Sequence, residues 1–215
     1  ALPRWEVRTR DFLLNERGVT PFNAEWRTFY GEKPVRYLID RPADAGLEEA
    51  VIVFSAVNPK YDFTYNYRSS FADYRGTVIY VLDDFGDQGS YYLANNRDFA
   101  EFRSVQAALR SIVHDLGIPM SKVYTFGSSK GGAGALLHGV SLGVNTVFMG
   151  APQYKIGLFT KNPHPNILNY VAGGTTISDV NWLDSVGKRI LQSGCRHTKL
   201  VLLSLIHISE PTRLR

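Results

Sequence analysis

Short apolar runs alternate with longer amphipathic stretches along this chain, and such alternation is typical of α/β proteins. Six runs rich in β-branched and aromatic residues predict buried strands: 35–40, 50–55, 77–82, 123–126, 144–149 and 198–203. Residues 98–116 and 181–193 carry apolar side chains at steps of three and four, which predicts amphipathic helices, and a further helix is predicted after residue 129. We therefore expect an α/β fold with a mostly parallel sheet and helices on both faces, in three layers.

The same pattern suggests how the chain is divided. Residues 1–34 mix charged and aromatic side chains and are expected to pack at the domain edge, whereas residues 35–202 carry the α/β pattern. Residues 203–215 break this pattern and resemble translated sequencing-adapter read-through. We expect this tail to be non-native and the domain to be truncated at its C-terminal side, so His207 is left out of the functional reasoning.

Composition narrows the class of protein. A chain of 215 residues, 44% hydrophobic and 20% charged, is long enough for one soluble domain with a substantial core. The net charge of +4 is spread without a long basic run, so no nucleic-acid partner is predicted. No apolar stretch approaches the length of a membrane span. Cys195 is the only cysteine, which rules out an internal disulfide and favours a cytoplasmic location.

The segment around Ser129 carries the strongest chemical signal. Gly127-x-Ser129-x-Gly131 lies between a predicted strand and a predicted helix, which is the pattern of a nucleophile elbow. Glycine is needed on both sides because a Cβ atom would collide in so tight a turn. We therefore predict that Ser129 is a catalytic nucleophile, whereas Ser128 occupies the wrong place in the turn. The alternative is a glycine-rich turn without chemistry.

Backbone N–H groups near Ser129 are candidates for stabilising an oxyanion. The N–H of Lys130 begins the helix after the serine, and an N–H at Ala56 or Val57 follows the strand that ends near residue 55. The alternative for residues 56–57 is an ordinary strand-to-helix loop.

Polar and aromatic residues follow other predicted strands, at the edge of the sheet where open α/β folds bind ligands. Asp83, Asp84 and Asp87 precede Tyr91 and Tyr92, and Gln153 follows the strand at 144–149. We expect Tyr91, Tyr92 and Gln153 to contact substrate. Nothing else in the sequence completes a metal site around the three carboxylates, so no metal or other cofactor is predicted. Residues 155–179 are rich in Gly, Pro and Asn and predict a lid or substrate wall.

A serine nucleophile needs a base and an acid. Folds with a nucleophile elbow supply both later in the chain, in the order serine, acid, histidine. The visible alternatives (Asp179, Asp184, His164 and His197) are poorly placed, and His138 falls nine residues along the helix after Ser129. Both partners are expected beyond residue 203. The 215-residue chain is therefore predicted to be catalytically inactive.

Three segments together resemble a known group of proteins: 127–132 (Gly-Ser-Ser-Lys-Gly-Gly), 84–86 (Asp-Phe-Gly) and 91–93 (Tyr-Tyr-Leu). Residues 50–153 are similar to the hydrolase-like region of an accessory secretion-system protein that acetylates glycans on exported adhesins, and of capsular polysaccharide biosynthesis proteins. The resemblance implies an α/β-hydrolase fold, a serine nucleophile at Ser129 and acyl transfer to or from a sugar. It carries no acid or histidine onto this sequence.

The leading hypothesis is thus a serine-dependent esterase or O-acyltransferase acting on a glycan or glycoconjugate. The alternative is a non-catalytic, hydrolase-like scaffold or binding module with protein partners in a glycan-export or capsule pathway. A third hypothesis is anion or nucleotide binding at the N-terminus of the helix after Ser129. The Walker order is absent, however, because Lys130 precedes the glycine pair.

Overall fold

The computed structural model describes residues 26–42, 46–194 and 197–203. These residues form one seven-stranded sheet with the strand order β1-β2-β4-β3-β5-β6-β7. Its strands are β1 (Trp26–Tyr30), β2 (Pro34–Asp40), β3 (Ala50–Phe54), β4 (Thr77–Val81), β5 (Val123–Ser128), β6 (Thr146–Gly150) and β7 (Lys199–Leu203). The tail after residue 203, the sole cysteine Cys195 and residues 1–25 lie outside the described residues.

The sheet is mostly parallel, as the sequence predicts. β1 and β2 form an antiparallel pair at one edge, and β2 is also antiparallel to β4. All neighbours from β4 to β7 run parallel. The central strands β3 and β4 are buried along their whole length, which explains their continuous apolar sequence. The carboxyl ends of the parallel strands meet at one edge, and Ser128 is paired there with Gly150.

Five α-helices accompany the described sheet: α1 (Ala100–Asp115), α2 (Lys130–Leu142), α3 (Ile156–Thr160), α4 (Pro165–Ala172) and α5 (Ile177–Ser193). α1 and α2 share one hydrophobic cluster with the sheet, and a second cluster joins α2 to α3, α4 and α5. The opposite face of β2, β3 and β4 is covered mainly by residues 56–76. This segment contains the one-turn 3-10 helix Ser69–Phe71 instead of an α-helix.

The structure moves one predicted helix boundary and adds detail to two other segments. Residues 155–179, predicted to form a lid or substrate wall, contain α3, α4 and the beginning of α5. α5 begins four residues earlier than predicted, since Thr176 and Asp179 form a capping box at its N-terminus. Glu101, in the first turn of α1, is fully buried and accepts a hydrogen bond from Tyr170.

Candidate active site

Ser129 lies in a strained turn between β5 and α2. Its φ and ψ angles are 55° and −120°, a conformation that side-chain-bearing residues rarely adopt. A Cβ atom on Gly127 would come closer than 3.0 Å to the backbone of Gly131, and one on Gly131 would come as close to the carbonyl of Phe54. Both glycines are therefore required by the close approach of three backbone segments.

The Ser129 side chain is partly exposed and is engaged by a single amide. Gln153 Nε2 donates a hydrogen bond to Ser129 Oγ over 2.8 Å. The Tyr91 hydroxyl in turn donates to Gln153 Oε1. The Ser129 N–H donates to the Gly150 carbonyl at 2.9 Å, which fixes the turn to the end of β6. Tyr91, Gln153 and Ser129 thus form one chain of hydrogen bonds.

Tyr91 is the buried member of this series of hydrogen bonds. Its side chain is fully buried, and its backbone is left-handed with φ of 59°. Burial raises the pKa of its hydroxyl, so the group remains a hydrogen-bond donor. The sequence predicts a substrate contact at Tyr91, but the structure places its hydroxyl on Gln153.

Lys130 follows Ser129 but its side chain turns into the protein. Lys130 Nζ donates to Asp83 Oδ2 at 2.8 Å, and both side chains are buried. Asp83 also accepts the Ser90 N–H at 2.9 Å. A polar cavity of about 10 Å³, room for one water, lies beside the pair. The charged end of the Lys130 side chain therefore does not lie at the start of α2, where a phosphate would bind. The backbone N–H of Lys130 is the first of the helix and has no acceptor within it.

The three carboxylates after β4 have separate partners. Asp83 pairs with Lys130, Asp84 with Arg36, and Asp87 with Lys60 at 2.9 Å. Burial raises the pKa of Asp84 to about 6, although Arg36 opposes this shift. Within the described ranges, no three His, Cys, Asp or Glu side chains come together as metal ligands would.

The predicted oxyanion donor at Ala56 is occupied. Its N–H donates to Asn66 Oδ1 at 2.8 Å, so it cannot bind a second acceptor in this conformation. Asn66 lies ten residues away in a loop, and no local pattern marked it as the partner. Val57, the neighbouring candidate, remains a prediction.

Tyr92 has a packing role rather than the substrate contact predicted from the sequence. It is fully buried, accepts the Ser55 N–H at 2.7 Å and donates to the Val81 carbonyl at 3.0 Å. Its ring meets Phe54 edge to face, with centroids 5.0 Å apart. Tyr92 therefore ties the end of β3 to the end of β4 beneath the site.

His138 and the late carboxylates Asp179 and Asp184 have structural partners. His138 is fully buried, which lowers its pKa to about 3, and its ring nitrogens contact Gln106 Nε2 and the Tyr92 carbonyl. Asp179 accepts hydrogen bonds from Thr176 and from Arg97, and Asp184 accepts the N–H groups that begin α3. Partial burial lowers the pKa of His164, which precedes α4. Among the described residues, the side chain bonded to Ser129 Oγ is the amide of Gln153.

A mostly parallel sheet with a serine in a tight turn between strand and helix defines the α/β-hydrolase-like fold. No family model matches the chain, and no curated protein matches it. No helix in the described ranges is both long and apolar enough to cross a membrane.

Solved structures do match. The Glycosylation Associate Protein (Gap123) complex of Streptococcus agalactiae superposes with a TM-score of 0.67 at 15% identity, over 84% of this chain and 36% of that one. A variant of the capsule O-acetyltransferase of Neisseria meningitidis serogroup A, in complex with CoA, gives 0.62 at 26% identity, over 82% and 70%. The fluorophosphonate-binding serine hydrolase F of Staphylococcus aureus gives 0.54 at 10% identity, over 84% and 79%.

These matches confirm the predicted fold class. They also confirm that the fold of this chain resembles that of glycosylation-associated and capsule-modifying proteins. The chain spans about a third of the Gap123 chain that it matches.

Proposed function

We propose that this protein is a serine-dependent acyl-transfer enzyme, an esterase or O-acyltransferase, with Ser129 as its nucleophile. The observation that carries the proposal is the conformation of the Ser129 turn. Ser129 has a positive φ and a partly exposed side chain, and only glycine fits at positions 127 and 131. Such strain is costly and is concentrated at functional sites. The fold shared with a capsule O-acetyltransferase and a serine hydrolase supports the same reaction class.

The proposed step is attack on an ester or thioester carbonyl. Ser129 Oγ forms a bond to the carbonyl carbon, the π electrons move onto the carbonyl oxygen, and a general base, an imidazole by class, takes the hydroxyl proton. Collapse expels the alkoxide or thiolate, which takes up that proton, and leaves an acyl-serine. Water or a sugar hydroxyl then accepts the acyl group. The Lys130 N–H at the start of α2 is a candidate oxyanion donor.

A glycan is the proposed acceptor, and a CoA thioester is a candidate donor because a CoA complex of the capsule enzyme shares the fold. A partly exposed aromatic ring borders the turn: the Tyr67 hydroxyl contacts Ser128 Oγ, and its ring packs on Phe126 with centroids 5.1 Å apart. A ring held in this way offers a face on which a sugar could stack.

The amide on Ser129 cannot take up a proton, so the described contacts provide no general base. We therefore expect the 215-residue chain to turn over esters poorly. Ester hydrolysis that is fast and lost in Ser129→Ala would contradict this expectation while supporting the nucleophile.

A fluorophosphonate tests the nucleophile without requiring turnover, because one slow reaction leaves a permanent adduct. We expect the purified chain to gain one phosphonyl group on Ser129, located by peptide mass spectrometry. Ser129→Ala should abolish the adduct, and Ser128→Ala, the matched control one residue away, should retain it. A folded wild-type chain without the adduct, or an adduct that persists in Ser129→Ala, would overturn the proposal.

A second candidate function is a non-catalytic binding module in a glycan-modifying complex. It is favoured by the amide partner of Ser129 and by the structural partners of the described histidine and carboxylate candidates. The similarity to a Gap123 complex is consistent with protein partners. This function predicts an unreactive Ser129, so the same labelling experiment separates the two.

A further inference from the structure

Gln153 is held against Ser129 in a way that suggests more than substrate contact. Its Nε2 lies 2.8 Å from Ser129 Oγ, and its Oε1 accepts the Tyr91 hydroxyl. The backbone is tied to the same turn, because the Gln153 N–H donates to the Ser129 carbonyl at 3.4 Å. The carboxamide is therefore held at both ends before any substrate binds.

The buried Tyr91 contacts the oxygen end of the amide, and the nitrogen end faces the serine. Tyr91 is fully buried, and its hydroxyl donates to Oε1. The amide NH₂ group is thereby turned toward Ser129 Oγ. Since an amide nitrogen only donates, Gln153 presents N–H groups, not an acceptor, to the reacting oxygen.

The reaction needs donors at this location. In the tetrahedral adduct the oxyanion lies two bonds from Oγ, so a donor in hydrogen-bond contact with Oγ is within reach of the oxyanion. The Ala56 N–H, predicted for this role, is already bonded to Asn66. Val57 is the backbone candidate that remains for the second donor, and the Gln153 NH₂ group, which has a second N–H to give, is a side-chain candidate.

We propose that the Gln153 side chain is an oxyanion-hole donor and that Tyr91 is the positioning residue that orients it. This inference rests on the proposed function. When Oγ bonds to the carbonyl or phosphonyl centre, the Gln153 NH₂ group donates to the oxygen that gains charge, alongside the Lys130 N–H. Gln153 is then a catalytic residue rather than part of a general substrate surface.

The test measures the rate constant of Ser129 labelling by a fluorophosphonate in the full chain. Gln153→Ala should slow labelling about 10²–10³-fold, the usual effect of losing one oxyanion donor. Gln153→Glu keeps the shape but replaces the donor with an acceptor, so it should be at least as slow. If Gln153 instead accepted a hydrogen bond from the serine hydroxyl through its amide oxygen, Gln153→Glu would speed up labelling, and the proposal would be overturned.

A second readout separates a direct role from a structural one. Sulfur accepts hydrogen bonds weakly, so the wild type should react much faster with a P=O reagent than with its P=S analogue, and Gln153→Ala should reduce this ratio. Tyr91→Phe, which removes the orienting hydroxyl, should reduce it in part. An equal slowing of both reagents would show that Gln153 only holds the turn, and unchanged labelling would exclude any role. Failure of the wild type to react at all would instead refute the proposed function.

Discussion

The ends of β5 and β4 lie at the same edge of the sheet but are built in different ways. At the end of β5, the Ser129 turn depends on backbone contacts that only glycine allows, at Gly127 and Gly131. At the end of β4, residues 82–92 are held by side chains, chiefly the buried Asp83–Lys130 pair and the buried hydroxyl of Tyr92. The first region positions Ser129, the proposed nucleophile, through the path of its backbone, and the second supports the turn through an ion pair and hydrogen bonds.

Two side-chain contacts join these regions. Lys130, from the turn, reaches Asp83, while Tyr91, from the β4 end, reaches Gln153 beside Ser129. The comparison therefore predicts that damage to the β4 end lowers stability and disturbs the serine, whereas damage to the glycines removes the turn itself.

The largest effect is expected from Lys130→Met. This change leaves the Asp83 carboxylate buried without its cation, which costs about 3–5 kcal/mol in the free energy of unfolding. Adding Asp83→Asn should recover much of the loss, because the double variant has no unpaired buried charge. Urea denaturation of the single and double variants measures this coupling, and equal losses in the two would show that the pair is not the cause.

Gly131→Ala should be the next most damaging change. The new Cβ would come closer than 3.0 Å to the Phe54 carbonyl, a backbone group that cannot move aside easily. Overpacking of this kind costs about 3 kcal/mol. Gly117→Ala is the control: Gly117 has a positive φ, which Gly131 does not, but no atom lies within 4 Å of the new methyl group. It should lose only about 1–2 kcal/mol, from backbone strain. Equal destabilisation of the two would contradict the close-approach explanation.

The smallest effect concerns pH. Glu101 is buried and accepts a hydrogen bond from the Tyr170 hydroxyl. Burial raises its pKa from 4.5 to about 7. The folded state thus holds a proton that the unfolded chain releases near pH 4.5, so stability falls as the pH rises from about 4.5 to 7. Asp84, with its pKa raised to about 6, adds to the same trend at lower pH.

Glu101→Gln should therefore gain stability relative to the wild type between pH 5 and 8, on the order of 2–3 kcal/mol. Tyr170 keeps an acceptor in this variant. The exposed Glu48→Gln is the control and should show the wild-type pH profile. Thermal melts across the pH range measure the difference, and a Glu101→Gln profile parallel to the wild type would contradict the buried-acid account.

The same contrast explains what could be predicted from the sequence. The parallel sheet and the Ser129 turn were accessible because apolar runs and closely spaced glycines are local signals. The β4 end was not, because its partners come from distant elements: Arg36 for Asp84, Lys130 for Asp83 and Ser55 for Tyr92. The three carboxylates suggested a ligand site, yet each has a cation of its own. The lysine directly after the predicted elbow is the one local signal of this ion pair, and its sequence position does not identify Asp83 as the partner.

The most direct test of the account is a crystal structure of the protein phosphonylated on Ser129. The account predicts that the phosphonyl oxygen lies about 2.7–3.1 Å from Gln153 Nε2, with Tyr91 still bonded to the far end of the amide and Asn66 still on Ala56. It would be contradicted by a phosphonyl oxygen bound to the Ala56 N–H, with Asn66 displaced and Gln153 turned away.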